Sequence, residues 1–377
     1  MTDQLHTEFY DADDYRTALS LVPGLNSKSV AQLVNRCHCE KDFILGDDAF
    51  IRDITGAANR AFSRQRRLEY LRDGAKERQW TDDHGVSRIY CLDEAYPRRL
   101  SQCDDGPVML YKLGKCDLDA AHMVAIVGTR HADAYGVEFT RRLVEDLGKK
   151  IDDLVIVSGL AYGIDIAAHR ASLDNGVRTV AVTANPLNTV YPAEHRGTAS
   201  QIIKQGGAMI TEYATCTTVH RGSFLARNRI IAGICDVTVV VQSGIRGGAM
   251  STARMAAAYD REVLAVPGRV TDQYSEGTNR LVANNTARLI TGADDLIDIM
   301  GWPARETEGR QRSLFVELSP EAQSIVNLIK EHPELTVNDL CARLGIPYPR
   351  MADILFQLEM DNVVTAIPGN RYAYIEM

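Results

Sequence analysis

The sequence is poor in the features that mark several familiar protein classes. Only two tryptophans and 7% aromatic residues are spread over 377 positions, so any stacking surface for a flat ligand must be built from a few identifiable rings. No window approaches the 18 or so uninterrupted apolar residues that a membrane-crossing helix needs, and no membrane association is expected. Positive charge is in deficit, with 42 Lys+Arg against 50 Asp+Glu for a net −8, which argues against a broad basic coat for nucleic acid. The eight cysteines, at 37, 39, 91, 103, 116, 216, 235 and 341, are scattered rather than gathered into a stapled scaffold. That pattern leads us to expect reduced thiols and a cytoplasmic location. The opening MTDQLHTEFYDADD is acidic where a secretory signal would be basic and then apolar, which gives the same expectation. Cys37-His38-Cys39 has no second Cys/His pair at zinc-finger spacing, so no metal is expected.

What is present divides the chain into four parts. Residues 1–80 read as a small helical domain, in which Leu19, Leu21, Val22, Val30, Leu33 and Val34 have helical spacing on either side of the turn Pro23-Gly24-Leu25-Asn26-Ser27. The string LVPGLNSKSVAQLV resembles half of a helix-hairpin-helix unit, and the domain is taken as SAM-like or helix-hairpin-helix-like. Six basic residues and three acids between Ser63 and Arg78 read as a solvated helix face.

Residues 81–300 form the main domain. From about 121, short apolar runs alternate with helix-like stretches: Val124–Val127, Leu154–Val157, Thr179–Val182, Ala208–Ile210, Val237–Val241 and Val263–Val266 are the expected strands. Val137–Lys150, Ile164–Leu173 and Met250–Tyr259 are among the expected helices. Residues 301–314 (GWPARETEGRQR and the two that follow) read as a linker, and 315–377 as three helices and a two-stranded wing around Pro368-Gly369-Asn370. Ser319-Pro320 and Thr336 with Asp339 supply the helix starts. The expected fold class is thus α/β, a Rossmann-like doubly wound parallel sheet between a helical domain and a winged-helix domain.

In such a sheet, ligands bind beyond the carboxyl ends of the strands, where loops feed helix N-termini with unpaired N–H groups. Gly128-Thr129-Arg130 follows the first expected strand, Ser158-Gly159 the second, and Ser243-Gly244-Ile245-Arg246-Gly247-Gly248 the fifth. Glycines there permit close backbone approach, and two of the loops add an arginine, as a phosphate-binding crevice requires. A G-x-G-x-x-G fingerprint is missing after the first strand and no acid ends the second, which excludes the usual dinucleotide site, and no cofactor is expected.

SGLAYGIDIAAH, Tyr191-Pro192, FLARNRIIAG from Phe224, and AVPGRV from Ala265 together strongly resemble the DNA-processing protein A family, also called DprA or Smf. The likeness continues through Tyr96-Pro97-Arg98-Arg99-Leu100 and Pro107 to Gly114, so it covers about 95–300 densely. It implies a non-enzymatic protein whose Rossmann-like core binds single-stranded DNA, forms a homodimer and helps load a RecA-type recombinase during natural transformation. By the same resemblance, Gly128, Thr129 and Arg130 would touch phosphate, with Ser158 and Gly159 beside them. Phe224, Arg227, Asn228 and Arg229 would complete the groove, together with Gly247 and Gly248. Tyr162 stands where the family usually has a basic residue.

The residues themselves leave two points open. Phe224 either stacks on a base or opens the apolar face of its helix, and Arg227 and Arg229 lie about 200° apart on a helix, so only one can face a given ligand. Asp165 and His169, at i and i+4, lack a nucleophile, a third carboxylate or a metal motif and are read as structural rather than catalytic. Two rival functions have sequence requirements that this chain does not meet. A phosphoribohydrolase would need P-G-G-x-G-T and a later glutamate, whereas Ile245 to Thr252 has no proline and the following helix, ARMAAAYD, no such acid. A winged-helix duplex regulator should be basic, yet residues 315–377 hold four basic residues and nine acids. Residues 196–254 hold seven basic residues and two acids, so positive charge is concentrated where the groove is expected.

Overall fold

The computed structural model describes residues 10–55, 60–305, 319–332, 335–360, 363–367 and 370–374, and the chain divides near residue 306 into two units with separate cores. The first unit opens with helices α1 (Ala12–Ser20), α2 (Ser27–Cys37), α3 (Glu40–Leu45), α4 (Asp48–Thr55) and α5 (Arg64–Asp83). Reciprocal capping boxes start α1 at Asp11 and Asp14 and α2 at Asn26 and Ser29, satisfying backbone N–H groups that helix starts leave unpaired. Gly24 takes φ +84° in the turn between them, a conformation open to glycine at little cost.

The charged run in α5 presents Arg64, Arg66, Arg72 and Lys76 to solvent, but two of its charges, Arg67 and Glu77, turn inward. Arg67, Leu71, Gly74, Glu77 and Thr81 form its buried stripe. Gly74 lies so close to α1 that a Cβ would come within 2.8 Å of the Ala18 nitrogen. Arg67 is fully buried because its guanidinium donates to the carbonyls of Phe43, Ile44, Gly46 and Phe62, a satisfied set of partners from distant sequence.

After α5 come β1 (Ser87–Tyr90), α6 (Arg98–Ser101) and β2 (Met109–Gly114), and then seven strand-helix pairs. These are β3 (His122–Val127) with α7 (Ala134–Lys150), β4 (Leu154–Ser158) with α8 (Ile164–Asp174), β5 (Arg178–Val182) with α9 (Arg196–Lys204), and β6 (Ala208–Thr211) with α10 (Arg221–Ile234). β7 (Val237–Val240) with α11 (Gly248–Ala258), β8 (Glu262–Ala265) with α12 (Glu276–Ala283), and β9 (Arg288–Leu289) with α13 (Ala293–Met300) complete the set.

One nine-stranded sheet results, in the order β1-β2-β6-β5-β4-β3-β7-β8-β9. β3 to β9 run parallel and form the expected doubly wound core, to which β1 and β2, not among the strands expected from the sequence, add an antiparallel edge. The central strands are buried on both faces and split their side chains by the period of two. Met123, Ala125 and Val127 enter one apolar core, continuous with the N-terminal helices, while Val124 and Ile126 enter another with Leu143, Val144 and Leu147 of α7. β3 pairs with β4 on one side and β7 on the other. The winding direction therefore reverses between β3 and β7, and the loops leaving these two strands flank a crevice.

The second unit contains α14 (Pro320–Glu331), α15 (Val337–Leu344), α16 (Tyr348–Met360) and an antiparallel pair, β10 (Val364–Ile367) and β11 (Arg371–Tyr374). Ser319 caps α14, and Thr336 with Asp339 forms a capping box on α15. Ile325, Leu340, Met351, Leu355 and Val364 form its own core, in the pattern of a winged helix. The expected wing turn at Pro368-Gly369, and the linker beyond residue 305, lie outside the described residues.

Candidate nucleic-acid interface

The loop after β3 is tied down from two sides. The Thr129 N–H donates to the Gln242 carbonyl at the end of β7 (2.7 Å), and the Thr129 carbonyl accepts from Ile164 at the start of α8 (3.2 Å). Gly128 is required here, since a Cβ would sit 2.4 Å from Ile164 Cγ1. Asp133 then caps α7 by accepting from the Gly136 N–H at 2.9 Å, a bond that holds its carboxyl below the usual range. Arg130 is left exposed at the crest of this loop. Its guanidinium lies over the Phe224 ring, 5.7 Å from the centroid.

Phe224 is half-buried and does not join the helix core. Its ring meets Tyr191 edge-on at 5.5 Å, and both line a cleft of about 600 Å³ at the carboxyl edge of the sheet. The cleft also takes in Gly128, Thr129, Arg130, Arg221, Arg227, Asn228, Gly247 and Gly248. Eight of the eleven sites expected from the sequence therefore converge: Gly128, Thr129, Arg130, Phe224, Arg227, Asn228, Gly247 and Gly248.

Two helix N-termini reach this cleft. α11 starts at Gly247 and Gly248 with no side-chain cap and no acid in its first turn, and Gly248 has open space where a Cβ would be. α10 starts with a cation, Arg221, and likewise has no acid in its first turn. A positive charge at a helix N-terminus opposes the helix dipole, so this pairing of charges suits an anionic ligand.

Arg227 forms the floor. It is buried, with its Nη1 donating to the Gly159 carbonyl at 2.7 Å and also to the Val182 carbonyl, and its Nε donating to Asn228 Oδ1 at 3.2 Å. Asp165 lies buried near this guanidinium. Burial pushes the Asp165 carboxyl up, and Arg227 pulls it back.

Three expected positions do not face the cleft. Arg229 points away, as two residues of helical rotation require, and pairs with Glu212 and the Asp105 carbonyl. Ser158 is fully buried and gives its hydroxyl to the Ile126 carbonyl at 2.6 Å. Gly159 offers its carbonyl to Arg227 rather than its N–H to an open site. Asp165 and His169 show no hydrogen bond to each other. His169 Nδ1 instead meets Thr179 Oγ1 at 2.8 Å, and because that hydroxyl donates to the Ile156 carbonyl, Nδ1 carries the proton. Tyr162 donates to Glu194 at 3.0 Å and stacks edge-on against His195, away from the cleft lining.

Sequence reasoning did not assign Tyr191, Arg221, His131 or Leu225 to the lining. Arg221 had a usable signal, a basic residue opening a helix against its dipole. Tyr191 had none beyond its place beside Pro192.

The fold and cleft define a Rossmann-like α/β protein with a crevice at its switch point, lined by glycine and arginine loops, and a winged-helix unit. The family model of DNA recombination-mediator protein A matches residues 87–301, and that of the DprA winged helix domain matches 315–370. The chain belongs to the DNA recombination-mediator protein A family. A DNA processing protein DprA of Mycobacterium tuberculosis is 42% identical over 252 residues, which span 66% of this chain and 64% of that protein. Protein Smf of Escherichia coli is 32% identical over 330 residues, covering 85% of this chain and 86% of that one. The X-ray structure of DNA processing protein A from Streptococcus pneumoniae superposes with a TM-score of 0.63 at 30% identity, over 76% of this chain and 97% of the other. A structure of the Helicobacter pylori protein, described for its single-stranded DNA binding mode, gives 0.51 at 32% identity over 57% and 95% of the two chains.

Proposed function

We propose that the chain binds single-stranded DNA in the β3–β7 cleft, as a carrier rather than an enzyme. The observation that carries this reading is the placement of Arg130 over Phe224 beside two helix starts with no acid in their first turn, α11 without a side-chain cap and α10 opening on Arg221. One wall offers positive charge and N–H groups to a phosphate backbone, and the other offers a ring to an unpaired base. A narrow cleft also fits the charge distribution, because positive residues are gathered on 196–254 while the chain as a whole is acidic. The buried placement of Asp165 and His169, each engaged with the scaffold, supports a structural role for the two groups best suited to acid–base chemistry.

The family membership supports three further parts of the proposal: transfer of the strand to a RecA-type recombinase in natural transformation, action as a homodimer, and a cytoplasmic location. All eight cysteines are unpaired, as a reducing compartment favours, and among the described residues no helix is long and apolar enough to cross a membrane. The test is a binding titration with labelled single strands, duplex and mononucleotides. Preference for the single strand, falling with salt, is expected, while equal affinity for duplex, or release of base from a mononucleotide, contradicts it.

A further inference from the structure

The helical segment before the sheet reaches the cleft through one buried carboxylate. Glu77 lies on the inward face of α5 and is 2% exposed. Its Oε2 accepts from the Thr215 N–H at 2.8 Å and from the Thr215 hydroxyl as well, across 138 positions of sequence. Thr215 sits in the segment 212–220 that joins β6 to α10.

That segment sets where α10 begins. Glu212 at its start pairs with Arg229 of α10, the Tyr213 hydroxyl donates to the Ser223 carbonyl at 3.4 Å, and His220 closes it as the N-cap in a capping box with Ser223. Arg221, Phe224 and Leu225 then project from the first turn into the cleft. Glu212 and Tyr213 anchor the segment to α10 itself and move with it. Arg227 and Arg229 tie the body of α10 to Gly159, Val182 and Asp105, and Glu77 adds the tie from α5 to the segment that leads into the helix start.

We infer that Glu77 is a positioning residue for the cleft: by holding Thr215, α5 sets the placement of the α10 first turn that carries Arg221 and Phe224. The chemistry of the pair favours this role over generic packing. A carboxylate is costly to bury and is retained only where donors meet it, and here two donors converge on a single oxygen. The inference rests on the single-strand reading for its functional consequence but not for its structural one.

The test uses the full chain. Glu77→Ala removes both bonds, whereas Glu77→Gln keeps an acceptor oxygen at the same reach and serves as the rescue. Hydrogen exchange over residues 212–224 reads the positioning, and titration of a labelled single strand reads the consequence. In Glu77→Ala, exchange over 212–224 is expected to quicken and single-strand affinity to drop about fivefold or more, the lower bound of typical coupling between linked sites. Glu77→Gln restores both. Thr215→Val, which deletes the hydroxyl alone, gives a smaller effect in the same direction and guards against a Glu77→Ala chain that fails to fold. The inference is overturned if exchange over 212–224 is unchanged, if the glutamine variant behaves as the alanine one, or if the segment loosens while affinity holds. Should the unmodified chain bind no single strand, the binding reading falls by itself, and the exchange data still decide whether Glu77 positions the segment.

Discussion

The Arg227 guanidinium packs directly beneath Gly159, so close that a Cβ on that glycine would come within 2.5 Å of Nη1. This contact joins the loop after β4 to α10 under the floor of the cleft. Arg227 is therefore a bearing for the site more than a free hand for phosphate, since its Nη1 is already committed to the Gly159 and Val182 carbonyls. Replacing Arg227 by alanine leaves the Gly159 and Val182 carbonyls without their buried donor, and a loss of about 1–3 kcal/mol in unfolding free energy is expected for each group left unsatisfied. Denaturant unfolding checks this. A variant that keeps full stability and loses only DNA affinity would return Arg227 to the ligand.

Phe224 stands at the opposite wall, exposed enough to meet a base. Phe224→Ala is expected to weaken single-strand binding by about 1–3 kcal/mol, the usual scale of one stacked base. Thermal unfolding should change little, because the ring is not in the helix core. Equal losses of stability and affinity would instead mark Phe224 as packing.

His169 gives the fold a pH dependence with a definite sign. Its imidazole is pushed down to about 3, by burial first and then by Arg227 and His195 nearby. The unfolded chain takes up this proton below about 6.5 while the folded chain does not, so stability is complete above that pH and falls by up to about 1.4 kcal/mol per unit as the solution is acidified toward 3. Asp165, whose pKa burial raises, contributes in the opposite sense, since the folded state gains a proton first as pH falls. In unfolding curves between pH 7 and 4.5, the His169→Gln variant should lose less stability on acidification than the native chain. The same pH dependence in the variant and the native chain assigns the effect elsewhere.

These residues also mark how far the sequence carries the structure. β3 to β8 are legible because each is a short, mostly apolar run covered on both faces. β1 and β2 are less so, since their half-buried edge pattern, with residues such as Arg88 and Lys112, carries no continuous apolar signal. β9 is only two exposed residues. The glycine and arginine loops locate the cleft, and helical rotation alone separates Arg227 from Arg229. What local sequence does not contain is the identity of distant partners. Arg67 and Glu77 look like solvent-facing charges in α5, and only the carbonyls of Phe43, Ile44 and Gly46, and the donors of Thr215, reveal why they are inside.

The winged-helix unit carries its own core and an excess of acid, so it is not expected to supply phosphate contacts. A chain ending at residue 306 should retain single-strand affinity and its salt dependence. Loss of binding on that truncation would place part of the interface on the second unit.

Arg130 decides the central claim. A labelled single strand titrated with the native chain and with Arg130→Ala, over a series of salt concentrations, should show weaker binding by the variant and a log–log salt slope shallower by about 0.7, the share of one phosphate contact on a single strand. An intact fold combined with unchanged affinity and slope would contradict a phosphate-binding cleft between β3 and β7.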